Sequence, residues 1–330
     1  MKKTLRILLA VSILVCFFIF LRATNVGASL HLIRQLGFYS AFILVATFLA
    51  GLVGACGWKC CIVSRRKPPL ARLFMIRQTG NAILMFNPTG AIAGELFNTQ
   101  MLTGEGVEKQ DALKSALLAR ILMILSQLLL LVIVLVRFMF FLSDKLSQEM
   151  IFAVRLCFLV LLLVVSGLAF LLLRKGKETV SGLKKNKLHK IISRIGEMRF
   201  LLAAHIRIHP GKTTAAFLLF SAHWILGSLE LFFILYFLHY PIDVWDSLFL
   251  DTLIIVLKST AAFIPGQLGA EELINRCALH LLGMDSSYLW LSVSILRRAR
   301  QLFWGGMALF FYVRLKSVKN SMKNHGDTVC

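Results

Sequence analysis

The stretch Ala262-Phe-Ile-Pro265-Gly266-Gln-Leu-Gly269-Ala-Glu271-Glu272-Leu-Ile-Asn275 decides how this chain is read. It lies between two long apolar segments and carries two acids, a proline and two glycines. An earlier stretch, Asn87-Pro88-Thr-Gly90-Ala-Ile-Ala-Gly94-Glu95-Leu-Phe-Asn98, repeats its outline. Glu95 follows Pro88 by seven positions, and Glu272 follows Pro265 by seven. Arg120, in the next apolar segment, follows Glu95 by 25 positions, as Arg297 follows Glu272. One offset of 177 therefore superposes a proline, an acid, an asparagine and an intramembrane arginine, which points to an internal duplication.

The surroundings set the class. Hydrophobic residues make up 58% of the 330 positions and charged residues only 16%, and the mean hydropathy is +0.78. Apolar runs of about 20 residues match the hydrocarbon thickness of a bilayer, and several occur here. The reading is an all-α, polytopic integral membrane helix bundle, one membrane domain over residues 1–330. The net charge of +21 would suggest nucleic acid in a soluble chain. Here the Lys and Arg crowd into particular loops, as the positive-inside rule and contact with anionic lipid require, so no nucleic-acid partner is expected. Seven cysteines lie mostly within or beside apolar segments and form no CxxC pair, so free thiols and no metal site or cofactor are expected.

Taken in order, apolar runs over 7–21, 38–57, 112–136, 151–173, 213–238 and 287–313 read as six full spans. Lys and Arg near the ends place both termini in the cytoplasm. Residues 70–101 and 253–282 are only intermittently apolar and are broken by Pro and Gly. Lipid cannot satisfy such backbone, so each reads as a re-entrant hairpin packed inside the bundle. Repeat one, about 38–137, begins outside and repeat two, about 213–313, begins inside. The two are therefore inverted, an arrangement found in transporters whose site lies near the midplane. His239 to Asp251 reads as a short outside loop. Residues 174–212 form a strongly basic cytoplasmic segment with apolar residues at helical spacing. It reads either as an amphipathic helix on the anionic leaflet or as a packed connector between the halves. His205 and His209 stand four apart within it, have no third ligand in view, and read as surface residues.

Charges within the spans carry the chemistry. Each costs roughly 2.5–3.5 kcal/mol at mid-bilayer, so Arg297, Arg298 and Arg300 facing lipid would together cost on the order of 8–10 kcal/mol. They must face protein, water or an anion. Ser294, Arg297, Arg298, Gln301 and Gly305 share one broad helical face by their spacing. Glu95 and Glu272 are their natural partners, each following a Pro/Gly break (Pro265, Gly266 and Gly269 in the second). Arg120, Arg297 and Arg298 would offer forked donors to a phosphate-bearing headgroup, with the two glutamates holding the guanidiniums when it is absent. The same residues would serve equally as static pairs that bind the halves together. Lys258 stands where it can line the same cavity or snorkel. His223 and Glu230, seven apart, share a face as a packing pair or a proton relay. Glu271 is expected to point away from Glu272 into water. No GxSxG, HExxH, P-loop or dinucleotide fingerprint is present, so no enzymatic activity is expected.

Pro265-Gly266-Gln-Leu-Gly269-Ala-Glu271-Glu272, the preceding 251–264 segment, the Pro88…Gly94-Glu95 stretch and Arg297-Arg298 together resemble the flippase-like membrane family. That family is typified by the transmembrane region of lysylphosphatidylglycerol synthase, and the likeness is strongest to its stand-alone branch, the hopanoid-biosynthesis-associated membrane proteins. Many relatives place an arginine a few residues after the Gly-Glu, where this chain has Asn98. The resemblance implies a lipid translocase or carrier for a polar, anionic or isoprenoid-type lipid in a bacterial inner membrane, with membrane lipid and anionic headgroups as partners. Fused members carry a cytoplasmic aminoacyl-transferase domain that is not found in this sequence, so lipid aminoacylation by this chain alone is not expected. Two other readings stand beside it. One is a membrane-embedded transferase on a lipid-linked substrate, with Glu95 or Glu272 as base. The other is a non-catalytic scaffold that gathers lipid-synthesis enzymes through the basic 174–212 segment.

Overall fold

A mostly apolar run of 22 residues, with no proline in it, builds helix α1 (Ser40–Cys61), behind a 3-10 turn at Gly37–Tyr39. The computed structural model describes residues 34–64, 67–86, 90–141, 205–240, 242–261, 269–284 and 286–326, together with Val15, His31, Leu159, Ala203 and Gln267. The apolar runs 7–21 and 151–173, the basic segment up to residue 202, and Pro88, Pro265 and Gly266 lie outside the described residues.

Seven further helices follow: α2 (Leu70–Phe86), α3 (Gly90–Gly104), α4 (Lys109–Phe141), α5 (Pro210–Phe237), α6 (Val244–Thr260), α7 (Ala270–His280) and α8 (Ser287–Gly326). Among the described residues all regular structure is helical. Three helices among the described residues are long and apolar enough to cross a membrane, over Arg34–Cys61, Lys109–Phe138 and Pro210–Phe237. Local chemistry sets the ends. Pro210 occupies the first turn of α5, where its missing N–H breaks no hydrogen bond. Asp243 caps α6 by accepting from the Val244 backbone N–H at 2.7 Å. Gly269 precedes α7 at φ 77°, a left-handed turn that a glycine makes without strain. The His239–Asp251 stretch, read as an outside loop, is helical from Val244 onward, because this cap starts α6 a full two turns before Asp251.

The helices and their contacts correspond under the same offset. An offset of 177 carries α1 to α4 onto α5 to α8 one by one. Helix contacts come in matching sets: α1–α2 with α5–α6, α2–α3 with α6–α7, α3–α4 with α7–α8, and α2–α8 with α6–α4. α1 packs directly on its own counterpart α5. Small residues allow this close crossing. A Cβ on Gly57 would stand 2.9 Å from the Phe220 ring, so only glycine admits that side chain there.

Two apolar clusters flank the bundle's middle. One gathers Ile43, Leu131, Leu135, Leu231, Ile234, Leu248 and Val293, the other Trp58, Leu73, Ile76, Leu102, Leu118, Phe220 and Leu315. α1 and α8 run from the first cluster to the second, whereas α4 and α5 run the opposite way. Polar side chains of α1, α5 and α8 fall between the clusters, so the charged layer sits at mid-height.

Candidate functional site

α8 brings three arginines into this layer, and each meets a carboxylate. Arg297 donates to Asp251 of α6 through a short bond, both side chains being less than a tenth exposed. Arg298 reaches Glu272 of α7 with both Nε and Nη2. Arg300 Nε lies 2.8 Å from Glu230 Oε1 of α5. A fourth pair joins Lys258 Nζ of α6 to Glu271 Oε1 at 2.7 Å, and Gln301 donates to the same carboxylate at 3.0 and 3.2 Å. Four cations and four carboxylates thus neutralise one another across α5 to α8. Pairing at this depth is what makes such charges tolerable, since breaking a buried pair costs more than forming it gains.

Some of these groups surround a cavity of about 290 Å³ bordered by α1, α2, α5, α6 and α8. Glu230, Asp251, Lys258, Arg297, Arg300 and Gln301 line it on one side, Thr47, Gln78 and Asn81 on the other. Four of the lining pairs are exchanged by the offset of 177: Thr47 with Trp224, Ala50 with Gly227, Gln78 with Ile255, and Asn81 with Lys258. The cavity therefore lies where the two halves face each other. Arg297 Nε and Gln301 Oε1 are buried with no hydrogen-bond partner among the described residues. They leave hydrogen-bonding capacity that protein groups do not use. His223 also lines the cavity, with Nδ1 2.7 Å from the Ala50 carbonyl oxygen. Its partner is backbone rather than Glu230, which is taken by Arg300.

A second cleft of about 270 Å³ opens beside the first and is wholly apolar, lined by Leu44, Val45, Phe48, Phe74, Phe303, Trp304, Met307 and Phe311. Trp304 belongs to both. Its indole N–H donates to Thr47 Oγ1 at 3.0 Å while its ring stacks on Phe48. A polar chamber and an apolar cleft thus share one amphipathic wall.

The residues expected from the sequence separate into two places. Glu272 and Arg298 pair as a carboxylate and its fork, and Arg297 lines the main cavity, although its partner is Asp251. Glu95 and Arg120 lie apart from these, around a small cavity of about 30 Å³ with Trp58, Arg77, Asn81, Asn98 and Met123. Asn81 borders both chambers. Glu271 corrects the expectation that it faces water. It is 1% exposed, because α7 turns it toward Lys258 and Gln301. His205, expected at the surface, is buried 2.7 Å from Thr213 Oγ1. Among the described residues no group of three His, Cys, Asp or Glu could hold a metal. Sequence reading missed Asp251, Arg77 and the pairing of Glu230 with Arg300. The available signal was that each is a charge inside an otherwise apolar stretch.

No curated protein and no solved structure matches the chain. The family model described as the lysylphosphatidylglycerol synthase TM region matches residues 5–309. With that match and its apolar helices, the chain is an integral membrane protein and belongs to the lysylphosphatidylglycerol synthase transmembrane-region family.

Proposed function

We propose that this protein is a lipid translocase, moving a polar, anionic or isoprenoid-type lipid between the leaflets of a bacterial inner membrane. One observation carries the reading: a charged cavity at the interface of the two matching halves, adjoined through Trp304 by an apolar cleft. An amphipathic molecule is what such a pair of chambers suits, its headgroup among the ions and its tail among the rings. We read the halves as inverted repeats, with α2–α3 and α6–α7 as re-entrant hairpins and both termini cytoplasmic. In such an arrangement rocking of one half against the other exposes the central site to each side in turn. An arriving phosphate competes with Asp251 or Glu230 for a guanidinium that already has a forked donor geometry. The exchange swaps one ion pair for another, so a charge never stands bare in a low-dielectric layer.

The test is reconstitution of the purified chain into vesicles carrying a fluorescent phosphatidylglycerol, with the outer leaflet bleached by a membrane-impermeant reductant. Protein-containing vesicles are expected to lose fluorescence beyond the half that protein-free vesicles lose. Protection of half the label at the protein-free rate, for this lipid and for labelled zwitterionic and polyprenyl phosphate lipids, refutes the translocase reading.

A further inference from the structure

The duplicated halves differ in charge balance. In the second half four cations face four carboxylates, as described above. The offset of 177 sends Asp251 to Phe74, Glu230 to Val53 and Glu271 to Gly94 in the first half, leaving Glu95 as the only counterpart carboxylate. The small cavity of the first half is nonetheless bordered by two guanidiniums. Arg120, the counterpart of Arg297, and Arg77 of α2 border the same small cavity as Glu95. Among the described residues no carboxylate lies within ion-pair distance of either arginine; Glu95 acts on Arg120 and Arg77 electrostatically from farther off and is hydrogen-bonded with the Asn98 side chain, so one carboxylate faces two guanidiniums.

Arg77 is the more exacting of the two. It is 7% exposed, and its Nε is buried with no partner. Its Nη2 rests 2.9 Å from the Met123 thioether sulfur, a weak acceptor for a guanidinium. Its charge lies 5.6 Å from the centre of the Phe220 ring, and it packs tightly over Gly54, where a Cβ would stand 3.0 Å from Nη2. A buried cation held this tightly, with unused donor capacity and a second cation nearby, calls for an anion.

We propose that Arg77 and Arg120 form an anion seat for a phosphate oxygen, reached from the main cavity past Asn81. The cavity's volume of about 30 Å³ accommodates one oxygen-sized group rather than a whole headgroup. The phosphorus atom therefore stays in the larger chamber, beside Asn81, and one oxygen extends between the arginines. This inference rests on the translocase reading for its choice of a lipid headgroup as the phosphate's source. It adds a contact in the first half for one oxygen of the phosphate whose other oxygens compete for the paired arginines of the second half.

The experiment titrates the purified full chain in neutral detergent and follows the fluorescence of Trp58, whose indole borders the same small cavity. A Trp58→Phe variant supplies the baseline. The probes are short-chain phosphatidylglycerol, glycerol 3-phosphate, inorganic phosphate and short-chain diacylglycerol. Saturable quenching by the phospholipid and none by diacylglycerol is expected. Arg77→Gln should weaken binding at least tenfold, and Arg77→Lys, which keeps charge but not the fork, by less. Asn81→Asp sets a carboxylate one helical turn from Arg77 and should abolish binding while raising Tm, an effect that loss of a merely structural contact does not produce. Saturation by the lipid but not by the two soluble phosphates identifies a headgroup as the ligand. Equal saturation by inorganic phosphate identifies free phosphate. Binding unchanged in both Arg77→Gln and Asn81→Asp overturns the seat. Vesicle transport by the wild-type protein with that negative result refutes the seat alone. Arg77-dependent binding without transport refutes the translocase alone.

Discussion

Replacing Asp251 with alanine leaves the guanidinium of Arg297 buried without its nearest counter-ion. The two side chains are 8% and 3% exposed, so water cannot take over the lost pairing. Breaking a buried pair from one side costs about 3–5 kcal/mol. Glu230 and Glu271 also act on Arg297 electrostatically, which places the expected loss near the lower end, about 3 kcal/mol. Arg297→Ala should cost a similar amount, because it strands Asp251. The double variant removes both charges together, so its loss should fall short of the sum by about 2 kcal/mol. Arg137→Ala provides the contrast. Its pair with Asp243 is 3.6 Å long with side chains 38% and 58% exposed, and such surface pairs contribute about 0.2–1 kcal/mol. Equilibrium unfolding of the purified protein in mixed micelles, across the four variants, measures all of these. If Asp251→Ala lies within about 1 kcal/mol of wild type, or the two single losses simply add, the charge-pair account of the central layer is wrong.

Two further outcomes follow from places away from the cavity. A Cβ at residue 80 would stand 2.2 Å from Asn98 Oδ1, so Gly80→Ala should force α2 and α3 apart at a cost of about 1–3 kcal/mol. Adding Asn98→Ala should recover part of that loss in the same unfolding assay, and a fully stable Gly80→Ala contradicts the close approach. At the start of α5, burial and then the charges of His209 and Lys212 hold the His205 pKa below its ordinary value. A lowered histidine pKa means that the unfolded chain binds the proton more readily. The stability it contributes is present above about pH 6.5 and is lost as pH falls toward the depressed folded value. The midpoint of thermal unfolding should therefore drop between pH 7 and pH 5, and His205→Gln should flatten that slope.

The first helix pair shows how far local rules reach. The run over residues 40–61 has no choice but helix in an apolar medium, because each backbone N–H and C=O must find its partner within the segment. The same holds for residues 109–141 and 210–237, and the 177-residue offset could be read from letters alone. That Arg297, Arg298 and Arg300 must be sheltered was equally plain, since the cost of a bare charge in lipid is a property of the side chain and its solvent. That Glu272, an acid beside the break, would hold a guanidinium of the next span followed from the same reasoning, though not which one.

Which partner each charge takes was a different matter. Glu271 and Glu272 are adjacent in sequence, yet α7 turns the first toward Lys258 and Gln301 and the second toward Arg298. Asp251 is 46 positions from Arg297, and nothing near it in the chain marks it as that arginine's counter-ion. Arg77 sits in an apolar helix, and only the packing of α1 and α4 around it shows that, among the described residues, no carboxylate comes within ion-pair distance of it. Composition and periodicity thus determined that this is a helical membrane protein with charges needing shelter. The tertiary structure alone decided how they are matched, because electrostatic pairing acts through space at a few ångströms, between helices whose approach no local stretch of sequence encodes.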